Sequence, residues 1–135
     1  MSWIYYNPNP DGRHVGDCTI RAITKATGES WETVYSWLTA FGYMLKDMPS
    51  ANHVWGKCLR SRGFKRYLVD DQDDDRYTVT DFCNDNPVGT YVLAIPGHVV
   101  TVVNGDYFDS WDSGQEVPQY YWTRCEDEHD QMGIE

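Results

Sequence analysis

The stretch Gly16-Asp17-Cys18-Thr19-Ile20-Arg21-Ala22-Ile23 decides the fold. A turn runs straight into a helical pattern, which starts at Asp17 or Cys18, continues to Thr27 and stops at Gly28. One thiol therefore sits in the first turn of a helix. Unpaired backbone N–H groups and the positive end of the helix dipole converge there, so the thiolate is favoured over the thiol. Upstream, Trp3–Tyr6 reads as a short strand or extended arm, followed by the rigid loop Asn7-Pro8-Asn9-Pro10-Asp11-Gly12.

Downstream the helical pattern recurs twice. Ser30 is a good N-cap for a second helix with Val34, Trp37, Leu38 and Phe41 at helical spacing. A third is expected from Ser50 to about Arg60, with Val54, Trp55 and Leu59 on its apolar face. The pattern then turns to strands: 65–69, 89–95, 98–103, 106–111 and 117–122, with a short helix over Thr78–Asn84 and an acidic loop at Asp70–Asp75. Asn104-Gly105 between two of these strands is the strongest short hairpin signal there is. The expectation is a single α+β domain over residues 1–125, helices first and then a mostly antiparallel sheet. Residues 126–135 read as an acidic, flexible tail.

Composition limits function. At 135 residues, 41% hydrophobic and 15% aromatic, the chain can bury a core. A net charge of −10 argues against nucleic acid, whose phosphates need basic surface, but leaves room for a basic protein partner. The four cysteines, Cys18, Cys58, Cys83 and Cys125, form no CxxC pair, and no Cys/His pair with ligand spacing lies next to a second such pair. The start of the chain lacks the marks of a secretory signal, and its apolar runs are strand-sized. These features predict a cytoplasmic protein with free thiols, no metal, no cofactor and no membrane contact.

A second chemical group lies far from the first. Gly97-His98-Val99-Val100 opens a strand with a histidine. If Asn104-Gly105 is a two-residue turn, Val103 faces Asp106, Val100 faces Asp109 and His98 faces Trp111, so Asp109 lies one pair along and diagonal to His98. A carboxylate there can hold the imidazole in one tautomer and stabilise its cation. A one-residue bulge would bring Asp112 forward instead. Each residue alone has an ordinary structural reading: a helix-start Cys as a small hydrophobe, a strand His as packing, a hairpin Asp as surface. Chain order and local geometry are what join Cys18, His98 and Asp109 into a nucleophile, a base and its orienter.

That order resembles the papain-like cysteine peptidases, in the broad sense that includes small bacterial and phage members. The resemblance rests on Gly16–Ala22, Gly97–Val100 and Tyr107-Phe108-Asp109-Ser110-Trp111-Asp112. The first motif is also similar to the Asp-Gly-x-Cys-x-x-Arg-Ala element of ovarian-tumour-type deubiquitinases. The resemblance implies a papain-like fold, no cofactor, and hydrolysis of a peptide or isopeptide bond in a polypeptide through a thioester. It equally accommodates an amidase or transferase. It also implies a side-chain amide before the Cys for the oxyanion; Gly12 stands at the usual Gln spacing, and Asn9, then Asn7, are the nearest amides. Arg21, one turn after Cys18, is expected in a structural ion pair with a carboxylate. The competing reading is a non-enzymatic acidic binding or inhibitor protein, either a charge mimic or an inactive papain-like module. Oligomeric state is left open by the sequence.

Overall fold

Asn104 (φ 50°) and Gly105 (φ 83°) both take left-handed backbone, the requirement of a type I′ turn. The hairpin they close joins β4 (His98–Val103) to β5 (Asp106–Asp109), with Val103 opposite Asp106, Val102 opposite Tyr107 and Thr101 opposite Phe108. This is the register that the sequence predicts. The computed structural model describes residues 2–69 and 77–124; the Asp70–Asp75 loop, Cys125 and the 126–135 tail lie outside the described residues.

Four further strands complete one sheet: β1 (Trp3–Tyr5), β2 (Phe64–Leu68), β3 (Thr90–Ile95) and β6 (Tyr120–Arg124), in the order β1-β5-β4-β3-β6-β2. All neighbours are antiparallel except β1, which runs parallel to β5 with Trp3 opposite Tyr107. The expected strand at 106–111 stops early, because the Asp109 carboxylate turns back to take the Ser110 N–H at 2.8 Å. The last strand starts later than Val117, since Pro118 has no N–H for the ladder.

The helices are α1 (Cys18–Thr27), α2 (Trp31–Leu45), α3 (Asn52–Ser61) and α4 (Val79–Asp85). Each boundary has a local cause. Gly28 (φ 78°) ends α1 with its N–H on the Thr24 carbonyl, and the Ser30 hydroxyl caps α2 by accepting from the Thr33 N–H. Thr78 and Asp81 form a reciprocal capping box on α4. α3 begins after Ala51 rather than at Ser50.

β3 and β4 are largely apolar on both sides because both of their faces are covered. Val92, Ala94 and Val99 pack with Ile23, Leu38, Trp55 and Leu59 of α1–α3. Their alternates Leu93, Ile95, Val100 and Val102 pack with Val79 and Phe82 of α4. α3 lies close on the sheet: a methyl group at Gly56 would stand 3.0 Å from the Trp122 ring. The Thr101 hydroxyl donates to the Ala22 carbonyl at 2.7 Å and ties β4 to α1. No described helix is long and apolar enough to cross a membrane.

Candidate active site

Three element ends meet at one place. Cys18 begins α1, His98 begins β4 and Asp109 ends β5. The Asp17 side chain, at the N-cap of α1, makes no cap bond. Its carboxylate accepts instead from Arg21 Nη1 at 2.7 Å and Trp31 Nε1 at 2.9 Å. The first-turn N–H groups, Cys18's among them, are thus left without a side-chain cap beside the thiol.

Asp109 is fully buried, and both its oxygens are used. Oδ2 lies 2.7 Å from His98 Nε2 and accepts from the Ser113 hydroxyl at 2.7 Å. Oδ1 accepts from Arg21 Nη2 at 3.1 Å and from the Ser110 N–H at 2.8 Å. A carboxylate only accepts, so His98 carries its hydrogen on Nε2 and keeps Nδ1 for the hydrogen bond it shares with Cys18. The Trp111 ring covers the imidazole, with centroids 4.8 Å apart at 44°.

The electrostatics follow from these contacts. Burial pushes the half-buried Cys18 thiol up. The hydrogen bond and charge of His98, the Val99 N–H and the Arg21 charge pull it down, and the balance falls below the ordinary thiol value. Burial pushes the His98 imidazolium down, but the hydrogen bonds to Asp109 and Cys18 and their charges outweigh it, raising the pKa from 6.5 to about 9. Both shifts favour the thiolate–imidazolium pair. Cys58 and Cys83 behave oppositely: burial pushes each thiol up to about 11, which makes it inert near neutrality.

Cys18 and His98 open onto a cleft of about 610 Å³, whose walls include Gly16, Asn52, Trp111, Gln119 and Tyr120. No protein-family model, curated protein or solved structure matches this chain.

The structure therefore brings together Cys18, His98 and Asp109. Asp112 goes elsewhere: it accepts from the Tyr107 hydroxyl and from the Gly114 N–H at 3.0 Å, holding the turn after β5. Asn7 and Asn9 are not among the residues lining the cleft. Asn7 Nδ2 donates to the Arg13 carbonyl at 3.2 Å, and Asn9 Oδ1 accepts the Asp11 and Arg13 N–H groups at 2.9 and 3.2 Å, so both side chains shape their own loop. The amides on the cleft wall are Asn52 and Gln119, which sequence reasoning passed over. Asn52 has a fixed orientation, because Trp55 Nε1 donates to its Oδ1 at 3.1 Å and leaves Nδ2 as a donor. Sequence reasoning also passed over Ser113, Trp31 and the part of Asp17; only the i,i+4 spacing of Asp17 and Arg21 signalled a pair. No group of three metal-ligating side chains occurs among the described residues.

Proposed function

We propose that this protein is a papain-like cysteine hydrolase that cuts an amide bond, peptide or isopeptide, in a polypeptide substrate. The observation that carries the reading is the two-sided engagement of His98: Nε2 lies 2.7 Å from a fully buried carboxylate, and the imidazole interacts with the thiol that starts a helix. A packing histidine needs neither partner.

The steps use only these groups. Nδ1 takes the Cys18 proton, and the thiolate attacks the substrate carbonyl carbon while the C=O electron pair moves onto oxygen. The Cys18 N–H and the Asn52 amide stabilise the oxyanion. The intermediate collapses to a thioester as His98 gives its proton to the leaving amine. His98 then takes a proton from water, hydroxide attacks the thioester, and the thiolate leaves with a carboxylic acid as product. Asp109 holds the Nε2–H throughout and stabilises the imidazolium; the buried Arg21, bonded to Asp17 and Asp109, holds Asp109 in turn.

The test is alkylation by iodoacetamide against pH, read by peptide mass spectrometry, on wild type and His98→Ala. Selective Cys18 labelling well below pH 8.5, the free-thiol value, and its loss in His98→Ala are expected. An inert Cys18, or one indifferent to His98, removes the hydrolase reading and leaves the acidic binding protein.

A further inference from the structure

The chain has no Asp or Glu between Asp47 and Asp70, and five of its eleven Lys and Arg residues fall between Lys57 and Arg66. In a protein of net charge −10 this is a local reversal of sign. The fold gathers three of these cations, Lys57 and Arg60 of α3 and Arg66 of β2, along a groove between α3 and the β6–β2 end of the sheet. All three are exposed, and no carboxylate lines the groove. One acid at its rim, Asp47, is bonded to the groove residue His53 at 2.6 Å.

Two features make the groove an anion reader. First, its guanidiniums are held in place by rings: Arg60 stands 5.1 Å from the Trp122 ring centroid and Arg66 stands 5.1 Å from that of Tyr120. Held side chains lose less entropy when they bind. Second, the groove is continuous with the catalytic cleft, because Asn52 and Tyr120 line both.

Resting on the hydrolase reading, we propose that this groove is a substrate subsite for an acidic stretch of polypeptide, whose Asp and Glu side chains meet Lys57, Arg60 and Arg66 while the scissile bond lies at Cys18. Trp122 follows Tyr120 on the same face of β6, so the cations run from the cleft wall, where Arg66 lies over Tyr120, to Arg60 over Trp122 one strand repeat further along. The groove favours polypeptide over nucleic acid. The Tyr120 and Trp122 rings carry guanidiniums and do not offer free faces on which bases could stack.

The experiment uses the whole chain with Cys18→Ala, so that nothing is cut. Fluorescent Glu/Asp-containing peptides, their Gln/Asn counterparts and a single-stranded oligonucleotide are titrated by anisotropy at low and high salt. The acidic peptides are expected to bind about tenfold more tightly at low salt, an advantage that shrinks with salt. Arg60→Gln with Arg66→Gln should abolish it, while Arg60→Lys with Arg66→Lys should keep most of it. Equal affinity for acidic and neutral peptides, no peptide binding, an acidic preference that survives the double Gln variant, or tighter oligonucleotide binding through the same arginines overturns the proposal. Cys18 alkylation, measured on the double Gln variant in the Cys18 background, reports separately on the thiol site. If it keeps its pH profile while acidic preference is absent, the subsite is wrong and the hydrolase reading stands; if Cys18 is inert in wild type, the hydrolase reading itself has failed.

Discussion

Replacing Asp109 by Asn looks conservative and should not be. All four hydrogen bonds to the Asp109 carboxylate come from donors: His98 and Ser113 on Oδ2, Arg21 and Ser110 on Oδ1. An amide offers one acceptor and one donor. If its oxygen turns to His98, its NH2 meets the Arg21 guanidinium and the Ser110 N–H. If its oxygen turns to Arg21, its NH2 faces His98 Nε2, which must then give up its hydrogen. The imidazole adopts the other tautomer and presents Nδ1–H to Cys18, where it cannot accept the thiol proton. The rise of His98 from 6.5 to about 9 corresponds to about 3 kcal/mol favouring its charged form, at ~1.4 kcal/mol per factor of ten. Asp109 stands ahead of Cys18 among the groups that produce this rise. Asp109→Asn should therefore lower the His98 pKa by about one or more and cost roughly 10²- to 10⁴-fold in kcat/KM. Adding Arg21→Met removes the donor opposite Oδ1 and should return about tenfold of that loss. The assay is the pH dependence of Cys18 alkylation alongside peptide hydrolysis, with circular dichroism to follow folding. Asp109→Asn with a wild-type alkylation profile and activity within about threefold would refute the reasoning.

Activity should follow a bell-shaped pH profile, with an alkaline limb near 9 from His98 and an acid limb from Cys18 below the ordinary thiol value. The signs carry over to stability. The His98 contribution is fully present below about 6.5 and is lost as pH rises through about 9, whereas that of Cys18 is present above its ordinary value and lost as pH falls through its lowered one. Denaturant midpoints across that range check both. Cys18→Ala should bring the His98 pKa down from about 9, because the thiol's hydrogen bond and charge help to raise it; an imidazole NMR titration that stays at the wild-type value would contradict the contact. Asn52→Ala should lower kcat by about 10²- to 10³-fold with little change in KM, while Asn9→Ala, confined to its loop, should leave kcat intact and reduce stability. Gly114→Ala should destabilise by about 1–3 kcal/mol, since a methyl group there runs into the Tyr107 hydroxyl and stands 2.8 Å from Thr80 Oγ1; an unchanged thermal midpoint would count against that packing.

The legible parts of this sequence were those governed by local rules. The Asn104-Gly105 turn fixes a register by backbone conformation alone, and the register carries Asp109 to within a hydrogen bond of His98. Ser30 and Thr78 mark helix starts because their hydroxyls satisfy nearby N–H groups. What stayed hidden depends on contacts between distant segments. Nothing local to Asn52 or Gln119 says that the start of α3 and the approach to β6 wall one cleft. Asn9 lies nearer to Cys18 along the chain, yet its Oδ1 anchors it in its own loop and it does not line the cleft. Asp17 has the composition of a helix cap, but a buried guanidinium competes for its oxygens and wins. The parallel pairing of β1 with β5 joins strands too far apart for any turn signal to announce.

That pairing has a consequence for how the protein comes to life. The Trp3 indole and the Tyr6 N–H both donate to the Asp109 backbone carbonyl, at 3.0 and 2.9 Å, and Trp3 and Asp109 are 106 residues apart in the chain. Closing so long a loop is slow and comes after the local hairpins have formed. During synthesis β1 and the thiol emerge early, while His98 and Asp109 follow Cys18 by about eighty and ninety residues, so β1 waits for the strand it braces. A growing chain thus carries Cys18 as an ordinary thiol, and the contacts that lower its pKa form only as the fold closes on itself.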